Sequence, residues 1–167
     1  GYELWRDDIN AAGGLLGRKV ELVIYDDQSL PANVPGIYSK LVDVDKVDFL
    51  FSPYGANLTA PVMPFAKQRD RFVIGILTLA ANDTIKHDKF FQAAPWGPNG
   101  AEDWARGFFD LAQAQGIKKM AILAADTEFS KTAAAGGKRV SEQFGMQVVD
   151  YQIYPPTNRD FSAILRN

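Results

Sequence analysis

Met120-Ala121-Ile122-Leu123-Ala124-Ala125, then Glu128 to Phe144, then Gln147-Val148-Val149-Asp150-Tyr151-Gln152-Ile153-Tyr154 is the stretch that decides the fold. The first segment reads as a strand, the second as a helix and the third as another strand. Gly145 stops the helix, because glycine takes the left-handed cap conformation without a Cβ clash. Pro155-Pro156 ends the second strand, since proline offers no N–H to a ladder. Two strands joined by a helical crossover pair in parallel, so this stretch predicts a parallel sheet covered by helices.

The same alternation extends outward in both directions. Toward the N-terminus, Asn99–Gln115 predicts one amphipathic helix stopped by Gly116. Phe90-Phe91-Gln92-Ala93 predicts a short strand ending at Pro95, after an irregular segment from Thr78 to Asp88. Arg71–Leu77 predicts a buried strand, and Leu58–Arg69 a helix behind a Ser52-Pro53-Tyr54-Gly55 loop. Val47–Phe51 is a short apolar run of the kind buried in parallel sheets. A helix from about Pro35 to Asp45 starts with proline in its first turn, where a missing N–H costs nothing. Lys19–Asp26 is β-branched and partly alternating, which predicts a strand broken by Asp27, Gln28, Ser29 and Pro31. Gly1–Asn10 reads as mid-helix, closed by Ala11-Ala12-Gly13-Gly14, and Phe161–Asn167 reads as a helix cut short. The expectation is an α/β, doubly wound parallel sheet with helices on both faces. Pro95-Trp96-Gly97-Pro98 is the best linker candidate.

Composition narrows the function. The 167 residues are 47% hydrophobic and 23% charged, enough for a folded core and too apolar for a disordered tail. Eighteen Lys and Arg against 20 Asp and Glu give a net charge of −2, which provides no electrostatic footprint for nucleic acid. The absence of cysteine excludes disulfides, thiolate metal sites and Cys nucleophiles. No apolar run approaches the ~20 residues of a membrane span, so membrane insertion is not expected.

Catalytic motifs are correspondingly scarce. His87 is the sole histidine, set between Lys86 and Asp88, and is expected to be an exposed loop residue rather than part of a Ser-His-Asp triad. Gly13-Gly14-Leu15-Leu16-Gly17 follows a helix and precedes a strand, the reverse of a dinucleotide loop, so it predicts a turn. Gly136-Gly137 lies inside a helix, where it would allow close packing. Asp26-Asp27 ends a strand, where ligands of open α/β sheets bind; the simpler expectation is that these carboxylates bond local backbone N–H groups. Three strand-end loops carry hydroxyl, amide and aromatic groups: Ser52 to Thr59, Thr78, and Asp126-Thr127-Glu128-Phe129-Ser130. Together they suit a small polar ligand with an apolar body.

These residues also carry a resemblance. Asn10-Ala11-Ala12-Gly13-Gly14-Leu15-Leu16-Gly17-Arg18-Lys19-Val20, followed by a segment ending in Asp26-Asp27, resembles the branched-chain amino-acid-binding family of periplasmic solute-binding proteins. Asp160-Phe161-Ser162-Ala163 matches a later segment of the same family, and the resemblance runs over the whole chain in order. It implies the type I periplasmic-binding-protein fold, with two doubly wound parallel-sheet lobes. Residues 1–95 would be lobe I without its first strand, and residues 96–167 the start of lobe II. On that reading the chain is a fragment lacking both ends of a family member, and the signal peptide of the precursor is not present in it.

The resemblance implies a solute-binding protein of an ABC importer, periplasmic or extracytoplasmic and lipid-anchored. It would take a small carboxylate or amide between the lobes and pass it to an ABC permease complex, with no cofactor, no metal and no enzymatic step. The ligand-binding positions it implies are Tyr54, Ala56, Asn57, Leu77, Thr78 and Phe129. Ala56 and Asn57 stand in the family's Ser/Thr-rich carboxylate loop, Thr78 would offer a hydroxyl, and Tyr54 and Phe129 would be apolar walls. The acidic group that receives an amino acid's ammonium has no counterpart here, so an aromatic acid or an amide fits as well as a branched-chain amino acid. A ligand-sensing receptor or amide-responsive regulator of the same fold is the alternative. An enzyme on a doubly wound sheet is the third reading, disfavoured by the lone His87.

Overall fold

A computed structural model describes residues 1–94 and 96–166, so Pro95 and Asn167, at the ends of two expected elements, lie outside the described residues. The chain forms two compact units, Gly1–Asp48 and the residues from Phe49 onward.

The first unit holds helices α1 (Tyr2–Ala11) and α2 (Val34–Asp43). Between them the expected turn is present: Leu15 and Arg18 pair across it as an isolated antiparallel bridge. Gly14 requires its lack of a side chain, because a Cβ there would lie 2.0 Å from the Arg18 carbonyl oxygen. The expected strand at Lys19–Asp26 does not form. A strand exists only with a hydrogen-bonded neighbour, and among the described residues of this unit no second strand is available. The Asn10 side chain stands in locally: its Nδ2 donates to Val20 O (2.9 Å) and its Oδ1 accepts from Val20 N (2.7 Å). Asp26 and Asp27 behave as local turn formers, accepting from Gln28 N (2.8 Å) and Ser29 N (2.7 Å).

Among the described residues, the strands all lie in the second unit. β1 (Leu50–Tyr54), β2 (Val73–Ile76) and β3 (Phe90–Gln92) form a parallel sheet in the order β1-β2-β3. β4 (Lys119–Ala125) and β5 (Gln147–Tyr154) form a second, two-stranded parallel sheet, as the opening stretch requires. β1 runs later than expected and absorbs most of the anticipated Ser52–Gly55 loop. Its ladder with β2 is irregular between Phe51 and Tyr54, where Pro53 has no N–H. The Ser52 hydroxyl compensates by accepting from Ile76 N at 2.8 Å and donating to Pro53 O at 2.9 Å.

Two of the three long helices of this unit expected from periodicity are broken. Leu58–Arg69 becomes α3 (Gly55–Thr59) and α4 (Val62–Gln68), separated at Ala60-Pro61 because proline cannot donate to the preceding turn. Asn99–Gln115 becomes α5 (Gly100–Asp103) and α6 (Arg106–Ala114), separated at Trp104-Ala105. α7 (Glu128–Gln143) matches its expectation. Of the expected C-terminal helix, only a 3₁₀ turn at Ile164–Arg166 forms among the described residues.

The cores follow the two sheets. Val62, Met63, Ala66 and Val73 are fully buried beside the first. Phe109, Ala112, Val140 and Met146 form a cluster beside the second, with Met120 and Phe144 packed against it. Gly136 lets α7 close on α5: a Cβ there would sit 1.8 Å from the Ala101 carbonyl oxygen, so the close-packing expectation holds. The expectation for His87 is corrected. It is buried at 3% exposure, and its Nε2–H donates to Arg71 O at 2.7 Å. Asn82 fixes the loop around it, accepting from His87 N (2.8 Å) and donating to His87 O (2.9 Å). A loop imidazole with a carbonyl to receive its N–H can be buried at little cost, and that partner is invisible in the sequence.

Candidate functional site

The strand ends of the second unit converge on a cleft of about 320 Å³. This volume lies within the range of small-molecule sites. One wall comes from the β1–α3 junction. Tyr54 caps α3 in an extended conformation and is 72% exposed; Gly55, Ala56 and Asn57 follow. The facing wall comes from the β4–α7 junction, where Thr127 is the N-cap and its hydroxyl accepts from Ser130 N at 3.4 Å. Thr127, Phe129 and Ser130 line the cleft. The two walls are tied directly, since Phe129 N donates to Asn57 Oδ1 at 3.0 Å.

Aromatic rings make the rest of the enclosure. Trp96 and Trp104 meet edge to face at 6.1 Å, and Trp104 meets Phe129 edge to face at 5.4 Å. This is the favoured geometry for ring quadrupoles. Leu77 completes the lining. It and Leu79 both have left-handed backbone, with φ of 52° and 49°. Non-glycine residues in that region are strained and persist only where the surroundings hold them.

Of the six positions expected from the sequence, Tyr54, Ala56, Asn57, Leu77 and Phe129 line the cleft and Thr78 does not. Thr78 is fully buried, and its hydroxyl lies 2.6 Å from the Gln92 side-chain amide. Trp104 is the residue that sequence reasoning missed. It falls in what reads as a continuous amphipathic helix, and nothing local marks the break that turns its ring to Trp96 and Phe129. Trp96 sits in the expected linker, where it reads equally well as packing.

No charged side chain lines the cleft among the described residues. The nearby Asp126 is engaged by Lys131 at 2.8 Å, and that hydrogen bond, followed by the attraction of the carboxylate, raises the Lys131 pKa. Among the described residues no cluster of His, Asp and Glu could hold a metal ion. No helix among them is long and apolar enough to cross a membrane. The arrangement offers amide and hydroxyl hydrogen-bonding groups beside an aromatic wall.

The model of the family described as periplasmic binding protein matches residues 1–167. The chain belongs to the periplasmic binding protein family. Two curated relatives come from Pseudomonas aeruginosa. One, an amino acid binding protein, is 23% identical over 99% of this chain and 45% of its own length. The other, a leucine-, isoleucine-, valine-, threonine- and alanine-binding protein, is 24% identical over 95% of this chain and 42% of its own. The chain thus spans about half the length of the curated relatives it matches.

Solved structures of substrate- and solute-binding proteins of ABC transporters give the same fold. An ABC transporter substrate-binding protein from Desulfitobacterium hafniense, in complex with Leu, superposes with a TM-score of 0.78 at 19% identity, over 98% of this chain and 47% of that one. A solute-binding protein from Rhodopseudomonas palustris, in complex with 3,4-dihydroxybenzoic acid, gives 0.77 at 23% identity, over 95% and 43%. The fold is therefore that of type I periplasmic binding proteins, as the resemblance implied, and its family and fold neighbours are solute-binding proteins.

Proposed function

We propose that the chain serves as an extracytoplasmic solute-binding protein of an ABC importer, taking a small carboxylate or amide with an apolar body. The observation that carries this reading is the cleft itself: neutral hydrogen-bonding groups at two strand ends, tied by the Asn57–Phe129 bond and walled by Trp96, Trp104 and Phe129. Asn57, Thr127 and Ser130 would bind the polar head, and Tyr54, Leu77 and the aromatic row the apolar body. Ala56 would contribute backbone N–H and Thr78 would act from behind the wall. Both solutes held by the two solved relatives, leucine and 3,4-dihydroxybenzoate, have this division into carboxylate and apolar body.

The two sheets correspond in this reading to two lobes, residues 1–95 and 96–167, closing on the solute by hinge motion. Handover to a permease complex would follow closure. A thermal-shift screen over branched-chain amino acids, aromatic acids and amides, followed by calorimetric titration, tests the reading. At least one of these classes is expected to raise the melting temperature. A screen in which none does would overturn it.

A further inference from the structure

Behind the cleft wall stands a side chain that touches no lining space yet holds one lining residue directly and the turn that follows another. Gln92 ends β3. Oriented so that each amide atom meets a suitable partner, its nitrogen donates to Thr78 Oγ1 (2.6 Å) and Gly75 O (3.3 Å). Its oxygen accepts from Trp96 Nε1 (2.7 Å) and Leu79 N (3.3 Å). An indole N–H is a donor only, so an enclosed tryptophan needs an acceptor. Gln92 supplies it across three residues of chain. The same amide grips both ends of Thr78-Leu79, the turn whose left-handed leucines aim Leu77 into the cleft.

We propose that Gln92 is the positioning residue of the binding cleft, fixing the Trp96 indole through its amide oxygen and the Leu77–Leu79 turn through Thr78 and Leu79. This deepens the solute-binding reading and rests on it, but the positioning itself is present without solute. A glutamine here does what an apolar residue of equal size could not: it satisfies an indole N–H, a hydroxyl and a backbone N–H at one point. Apolar replacement would leave three polar groups without partners and release two walls together.

The test reads the Trp96 indole N–H by NMR hydrogen exchange in the solute-free full chain, assigned with Trp96→Phe. In the wild-type protein this proton is expected to exchange well below the rate of a free indole. In Gln92→Met it is expected to exchange about tenfold faster or more, and Gln92→Glu, which keeps an acceptor oxygen, is expected to restore protection. Affinity for 3,4-dihydroxybenzoate and for L-leucine should fall about tenfold in Gln92→Met, with partial recovery in Gln92→Glu. A Trp96 indole that exchanges freely in the wild-type chain overturns the proposal, and that measurement stands even if Gln92→Met fails to fold. An unchanged indole rate in a folded Gln92→Met overturns it as well. Protection lost and restored as expected, with neither probe bound by the wild-type chain, supports the positioning role and moves the failure to the choice of solute.

Discussion

At the residue scale, Asn57 commits its side-chain oxygen to the Phe129 N–H, and that commitment decides how much of its amide is left for a solute. With the oxygen engaged, the nitrogen is the part of the side chain available to donate, which suits a carboxylate acceptor. Asn57→Ala should therefore cost about 1 kcal/mol of stability, read as a lowered melting temperature, because one partly buried hydrogen bond is lost. Phe129→Ala should leave that bond in place but remove the ring packed on Trp104, weakening calorimetric binding of 3,4-dihydroxybenzoate by about tenfold. Equal affinities for the wild-type and Phe129→Ala chains would remove Phe129 from the site. In the first unit, burial pushes the Tyr38 phenol well above its ordinary range, and the nearby Asp27 carboxylate and Tyr2 add to the shift. The folded pKa is raised, so the neutral phenol contributes stability fully below the unfolded value of about 10, and this is lost as pH climbs beyond it. Phenolate absorbance should show one tyrosine ionising only as the chain unfolds in alkali, and Tyr38→Phe should remove that class and flatten the alkaline loss of stability.

At the element scale, the contact between α5 and α7 depends on a missing methyl. A Cβ at Gly136 would penetrate the Ala101 carbonyl, which is backbone and cannot swing aside. Gly136→Ala is expected to destabilise by about 1–3 kcal/mol through overpacking. Gly107→Ala, in the first turn of α6 with open space around its would-be Cβ, should be neutral or stabilise by up to about 1 kcal/mol. Urea melts of the two variants give both signs in one experiment, and equal midpoints would discount the close approach. Elements like these were legible in the sequence when the information was local. The β4–α7–β5 unit follows from periodicity, Gly145 and the Pro155-Pro156 pair. The α3–α4 break follows from Pro61 once the chain is known to turn there. The α5–α6 break has no such marker, because it accompanies ring packing between Trp104, Trp96 and Phe129 that are distant in sequence. Lys19–Asp26 fails as a strand for the opposite reason: its local pattern is right, and the partner that would define the ladder is absent from its unit. The Tyr54–Asn57 and Phe129 positions of the cleft came from strand-end logic and family likeness. His87, Gln92 and Trp104 did not, because each is defined by a hydrogen bond or ring contact that only the folded chain brings within reach.

At the scale of the whole molecule, the cleft joins the end of one parallel sheet to the end of the other, so a solute seated there contacts two walls that the backbone connects through residues 58 to 126. Any solute that binds the folded form alone stabilises it by mass action, by about 2.7 kcal/mol at a hundred times its dissociation constant. For a chain of this size that corresponds to about 5–10 °C in melting temperature. The gain should reach the seam of the cleft in full. The Phe129 N–H sits at the seam, bonded to Asn57 across the two walls, and exchanges with solvent only when that seam opens. Saturating 3,4-dihydroxybenzoate or L-leucine, whichever binds, should slow exchange at Phe129 and at Ser130 beside it by as large a factor as at Val140, deep in α7, which reports on global opening. A melting shift of the expected size with no added protection at Phe129 would mean that the solute binds elsewhere, and the assignment of the cleft would fail while the family membership stood.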